Sequence, residues 1–199
     1  MNVLLTEPEF YSIKDFENYS PRWKPEFVET NSNNHFSAIL KKKQYEVIFI
    51  KLGLSMDRKN IDLQKKLKII VTPTTGLDHI DIHYAKKKQI KIISLKGEKS
   101  FLKSITSTAE HAWLLTLALQ RKLFDSTETV KQGFWKRDSL NICQLKDKTL
   151  GIIGYGRLGE FIYKYGQAFQ MKVIANDIVK KKNLKNLKFV ELKKIMILS

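Results

Sequence analysis

Thr149-Leu150-Gly151-Ile152-Ile153-Gly154-Tyr155-Gly156-Arg157-Leu158-Gly159 decides the fold of this chain, because Gly154, Gly156 and Gly159 spell G-x-G-x-x-G. A glycine triplet alone arises by chance; its surroundings give it weight. Leu150, Ile152 and Ile153 read as a strand entering the turn, and Glu160-Phe161-Ile162-Tyr163-Lys164-Tyr165 as a helix leaving it. A second strand, Met171-Lys172-Val173-Ile174-Ala175, runs toward Asp177, 18 residues past Gly159. Strand, glycine turn, helix, strand and acid in that order suit a dinucleotide. Gly154 permits the tight turn, Gly156 lets backbone approach a pyrophosphate, and Gly159 lets helix and strand pack closely. The N–H groups around Arg157 and Leu158 point from the helix N-terminus at the phosphates. Asp177 is expected to accept both ribose hydroxyls and to repel a 2′-phosphate, favouring NAD over NADP.

Upstream of the motif, apolar runs rich in β-branched residues alternate with polar, helix-like stretches. Val3–Leu5, Tyr45–Ile50, Leu67–Val71 and Ile90–Ser94 read as strands, and residues 35–43, 58–66 and 81–88 as helices. Continuous apolar strands separated by helices argue for a parallel sheet covered on both faces. Residues 1–97 then form one α/β unit and residues 98–199 a second, with a linker near Gly97. Glu9 to Asn34 reads as loop with a short helix. Residues 101–123 read as one helix, with Ser107-Thr108-Ala109-Glu110 as its capping box. Ala112–Leu119 is apolar nearly all round, which predicts burial on several sides, between domains or at a subunit interface.

Charge is the other prominent feature. The chain of 199 residues carries 36 Lys+Arg against 20 Asp+Glu, a formal net charge of +16. Residues 1–40 are net −3, residues 41–100 net +9 and residues 101–199 net +10, so the excess is spread. Of the cations 31 are Lys, and the five Arg are widely separated, whereas nucleic-acid readout leans on Arg. The pattern reads as solvated surface lysine and argues against a nucleic-acid partner. Cys143, the single cysteine, excludes an intramolecular disulfide framework and a multi-cysteine zinc site, and no metal site is expected. No apolar run approaches the roughly 18–20 residues of a membrane helix, and Met1–Pro8 lacks the basic and apolar regions of a secretory signal. A soluble, cytoplasmic protein is the expectation.

At this point the chain resembles the D-isomer-specific 2-hydroxyacid dehydrogenases, the family of phosphoglycerate, glycerate and D-lactate dehydrogenases. Thr74-Thr75-Gly76-Leu77-Asp78-His79-Ile80-Asp81 is similar to its substrate-domain loop, usually G-x-G-x-D-N-I-D. Ser107–His111 is similar to its V-A-E-H helix start, and Gly133-Phe134-Trp135 with Leu145–Gly151 to its approach to the glycine turn. Thr74 stands in place of a common glycine, and His79 in place of the usual Asn. The resemblance implies an α/β fold: a flavodoxin-like substrate domain, here its N-terminal portion, plus the first half of a Rossmann dinucleotide-binding domain. It implies hydride transfer between NAD(H) and a small 2-hydroxy or 2-keto acid, and a homodimer. By carry-over, the substrate carboxylate meets backbone N–H groups at Thr75 and Gly76, and Lys51 lies near the substrate.

The family's chemistry rests on an Arg, a Glu and a His that follow the second nucleotide-domain strand. The 22 residues after Asp177 contain neither Arg nor His, and Glu191 corresponds to a strand end. No catalytic residue is therefore assigned, and the expectation is a C-terminally truncated chain, inactive alone. Of the histidines, His111 reads as a hydrogen-bonded core residue, His79 and His83 flank the substrate-like loop, and His35 lies in polar loop. The alternative is a non-catalytic nucleotide-binding or regulatory module of the same fold.

Overall fold

Val3, Leu4, Leu5, Val47, Ile48 and Ile70 are all buried, and together they make the strands at the middle of a parallel sheet. A computed structural model describes residues 1–6, 9, 14, 22–135, 142–179, 181, 182, 184 and 186–199. The chain divides into two units, Met1–Lys99 and Ser100–Ser199.

The first unit contains β1 (Asn2–Leu5), β2 (Lys24–Phe27), α1 (Asn33–Lys42), β3 (Val47–Phe49), α2 (Arg58–Asp62), β4 (Ile69–Thr72), α3 (Ile82–Lys87) and β5 (Lys91–Ser94). Its strands run in the order β2-β1-β3-β4-β5, all parallel. That order is the flavodoxin-like one, whose direction of winding switches between β1 and β3. Leu4, Ile48 and Ile70 point into one core with Phe36, Leu40, Tyr45 and Met56; Val3, Leu5 and Val47 point into a second. Because a strand alternates its side chains between faces, strands with an apolar layer on either side must be apolar throughout. Polar groups inside are matched. Gln64, 3% exposed, donates to the carbonyls of Leu40 (2.6 Å) and Lys43 (2.9 Å) and accepts from the Tyr45 N–H (2.8 Å). It thereby closes the C-terminus of α1, whose last carbonyls have no intrahelical partner. Asp57 and Asp81 cap α2 and α3 through the N–H groups of Asn60 and Tyr84.

The second unit contains α4 (Lys99–Leu102), α5 (Ser107–Gln120), α6 (Leu123–Lys131), β6 (Thr149–Ile153), α7 (Arg157–Ala168), β7 (Lys172–Asn176), β8 (Leu187–Phe189) and α8 (Leu192–Leu198). Its sheet is parallel, in the order β6-β7-β8. Val173, Ala175 and Leu187 form its core with Ile152 and Tyr155. Trp113 of α5 packs on Tyr165 and Phe169, with ring centroids at 5.9 and 5.2 Å.

Several expectations are corrected. Residues 101–123 span the end of α4, all of α5 and the first residue of α6, rather than one helix. The break exposes the Leu102 and Ile105 carbonyls, and the Arg157 guanidinium takes both (3.1 and 2.6 Å). The cap of α5 is Thr106, whose hydroxyl donates to Glu110 (2.5 Å), so the Ser107 capping box does not form. Lys122 at φ +49° separates α5 from α6. Within α5 only Ala109, Trp113 and Ala118 are buried; Leu114, Leu115 and Leu119 face solvent. His111 is likewise exposed, and His35 sits exposed on α1 rather than in a loop. Residues 24–27 add β2, a strand not expected there. It is an edge strand, which is where Pro25 is tolerated. The short helix expected between Glu9 and Asn34 falls mostly outside the described residues.

Candidate dinucleotide site

The turn from β6 into α7 is built on glycine geometry. Gly154 adopts φ +91°, a left-handed conformation that side chains disfavour, and its N–H donates to the Asn176 carbonyl (2.8 Å). A Cβ on Gly159 would stand 2.5 Å from the Gly154 carbonyl oxygen, so this position admits only hydrogen. A Cβ on Gly156 would meet nothing within 4 Å, leaving open space above the turn. Two glycines outside the motif serve packing. A Cβ on Gly166 would lie 2.6 Å from Leu150, and one on Gly151 2.6 Å from Ile195, so α7 and α8 both sit close against β6. Neither was singled out by sequence; the small residue in each strand or helix face was the only signal.

Gly156 is the N-cap of α7 and carries no capping side chain. Among the described residues the N–H groups of Gly156, Arg157 and Leu158 have no acceptor. They lie at the positive end of the helix dipole, which suits an anion. The Arg157 side chain does not join them, since its guanidinium is committed to Leu102 and Ile105. Tyr155, between the first two glycines, is buried with its ring edge-on to Tyr163 (6.0 Å) and Phe189 (5.3 Å), which fixes the loop to the sheet.

Asp177, just past β7, is brought against this turn. Its carboxylate accepts from the Tyr155 N–H (2.8 Å) and the Val179 N–H (2.9 Å), and Lys181 Nζ lies 3.3 Å from the same Oδ2 that Tyr155 reaches. The Val179 N–H foremost, then Lys181 and Tyr155, hold the carboxyl below its usual range, with burial opposing. The group is an anion held by backbone donors before any ligand arrives.

In the first unit, Lys51 and the Thr75-Gly76 turn follow β3 and β4, neighbouring strands of the parallel sheet. Ligands of such sheets bind beyond these carboxyl ends. The loop is internally tied: Thr74 Oγ1 donates to the Gly76 carbonyl (2.6 Å), and Thr72 Oγ1 lies 3.1 Å from Thr74 Oγ1 and 3.2 Å from His79 Nε2. Thr75 and Gly76 are exposed, and among the described residues their N–H groups have no acceptor. Lys51 Nζ is held by Asn31 Oδ1 at 2.6 Å. His79 Nδ1 is buried without a partner, and burial lowers the ring's pKa against the opposing pull of Asp78.

Residues 113–199 match the D-isomer specific 2-hydroxyacid dehydrogenase, NAD binding domain. The chain is 35% identical over 149 residues to hydroxypyruvate reductase of Thermotoga maritima, covering 75% of this chain and 47% of that protein. The chain belongs to the D-isomer specific 2-hydroxyacid dehydrogenase family. It is also 37% identical over 134 residues to D-3-phosphoglycerate dehydrogenase of Archaeoglobus fulgidus, covering 67% of this chain and 24% of that one. The D-lactate dehydrogenase of Aquifex aeolicus, solved with NAD and lactic acid, superposes with a TM-score of 0.82 at 27% identity, over 100% of this chain and 58% of that one. The chain thus spans half or less of the length of these curated relatives. The family's NAD-binding domain fits the residues present: open space over Gly156, three N–H donors and a fixed carboxylate. No helix among the described residues is long and apolar enough to cross a membrane.

Proposed function

We propose that this chain carries the ADP-binding half of the nucleotide site of an NAD-dependent 2-hydroxyacid dehydrogenase. Residues 98–199 form the nucleotide-binding portion and residues 1–97 the substrate-domain portion. The observation that carries the reading is the pairing of an unobstructed glycine cradle with the Asp177 carboxylate, both anchored through Tyr155. The N–H groups of Gly156, Arg157 and Leu158 hold the pyrophosphate, and Gly154 and Gly159 keep the turn tight enough to present them. Asp177 takes the adenosine ribose hydroxyls. When bound, NAD supplies the hydride acceptor for oxidation of a 2-hydroxy acid, or as NADH the donor for reduction of a 2-keto acid. Thr75 and Gly76 offer backbone N–H groups to the substrate carboxylate, and Lys51 adds a cation beside them once it leaves Asn31. Among the described residues no catalytic Arg, Glu or His is assigned to this site. On this reading the protein works as a cytoplasmic homodimer, to which the exposed Leu114, Leu115 and Leu119 of α5 contribute apolar surface.

Titration with NADH, followed by fluorescence, tests the reading. Asp177→Ala is expected to weaken binding about tenfold, the loss of a charge-assisted hydrogen-bonding group worth roughly 1.5 kcal/mol. Unchanged affinity would overturn the ribose assignment.

A further inference from the structure

An unshielded aspartate at the ribose rejects a 2′-phosphate by charge. Asp177 is not unshielded. Lys181 Nζ stands 3.3 Å from its Oδ2, donates also to the Tyr155 carbonyl, and lies 5.1 Å from the centroid of the Tyr155 ring. Three contacts thus hold one ammonium at the edge of the ribose position, with a third donor left over. The pair Asp177–Lys181 is neutral as a unit where a lone carboxylate would be −1.

The surroundings add to this. Lys181 lines a cavity of about 520 Å³ together with Lys164, Lys182, Tyr155 and Tyr163, against a single acid, Glu160. Asp177 does not depend on Lys181 for its position, because the N–H groups of Tyr155 and Val179 hold it. The lysine, on a flexible four-carbon stem, can exchange its Asp177 contact for one to a phosphate while the carboxylate stays. Ammonium on phosphate is a charge-assisted contact, roughly twice as strong as a neutral one.

We infer that Lys181 is a specificity-determining residue of this site, and that through it the chain takes the 2′-phosphorylated dinucleotide as well as the unphosphorylated one. The inference rests on the dinucleotide reading above. The Asp177–Lys181 pair reads the 2′ position in both forms: the carboxylate accepts from a free hydroxyl, and the ammonium meets a phosphate.

The test is parallel titration of the 199-residue chain with NADH and NADPH by fluorescence, repeated for Lys181→Met and Lys181→Arg. The chain as it stands is expected to bind NADPH within about tenfold of NADH. Lys181→Met is expected to weaken NADPH about tenfold and to leave NADH within about threefold, while Lys181→Arg retains NADPH binding. NADH binding with NADPH more than about 100-fold weaker overturns the inference alone. So does an equal loss of both nucleotides in Lys181→Met, which marks a merely structural lysine. Failure of both nucleotides to bind the unaltered chain overturns the dinucleotide reading itself, and the inference with it.

Discussion

The first unit encloses its sheet between two apolar layers, whereas the second gathers its buried apolar residues around Val173, Ala175 and Leu187. Of twenty-three exposed large hydrophobic side chains among the described residues, nineteen belong to the second unit. Ile153, at the end of β6, is 62% exposed, while Leu5, at the end of β1, is buried. Both sheets are parallel and both are read from the same apolar runs. A parallel strand reaches its intended environment only where side chains cover both of its faces. The first unit therefore buries more of its apolar side chains, and in the second close approaches at Gly151, Gly159 and Gly166 accompany a smaller core.

The largest effect is expected in the enclosed sheet. Ile48 is fully buried in β3, between β1 and β4. Ile48→Ala removes most of a buried aliphatic side chain and is expected to destabilise the first unit by about 3 kcal/mol. Amide exchange across Leu4, Ile48 and Ile70 under urea checks this. A loss below about 1 kcal/mol would mean the two-layer core is not what stabilises the unit. In the second unit the sensitive point is a position with no side chain at all. Gly159→Ala puts a methyl 2.5 Å from the Gly154 carbonyl, and backbone cannot swing aside as a side chain can. The expected cost is about 1–3 kcal/mol, with NADH affinity lowered at least tenfold, read by thermal unfolding and fluorescence titration. Preserved NADH affinity would show that the turn tolerates opening.

The same contrast explains what could be read from sequence. The strands of the first unit were legible because burial on both faces leaves an unbroken apolar run. The glycine turn was legible because φ +91° at Gly154 and the contact at Gly159 restrict residue type directly. Three features were not. β2 contains Lys24, Pro25 and Glu26, a polar edge strand that pairs through backbone and has no apolar signature. The break between α4 and α5 depends on Arg157, 52 residues beyond Ile105, and so on tertiary structure alone. The Lys181 contact to Asp177 was hidden in a lysine triplet that composition assigns to solvent. Apolar α5 departs in the other direction, since sequence shows how apolar a helix is and not what covers it.

The smallest predicted effect separates the units by pH. His79 is partly buried in the first unit, with Nε2 at 3.2 Å from Thr72 Oγ1 and Nδ1 buried without a partner. Protonation would put a second N–H where no acceptor waits, and burial accordingly lowers its pKa below the ordinary 6.5. A histidine whose folded pKa is depressed favours the fold when neutral. Its contribution is complete above pH 6.5 and is lost as pH falls from there toward the lower, folded value. The first unit is therefore expected to lose stability between pH 7 and pH 5. His79→Gln, which keeps a hydrogen-bonding side chain but does not titrate, is expected to flatten that slope. His111, the histidine of the second unit, is exposed on α5 and has no such orphaned nitrogen. Amide exchange read separately over β1, β3 and β4 and over β6 and β7 at the two pH values checks both halves of the claim. An unchanged slope in His79→Gln would move the pH dependence to the carboxylates, and would leave the Thr72–His79 contact as packing without electrostatic consequence.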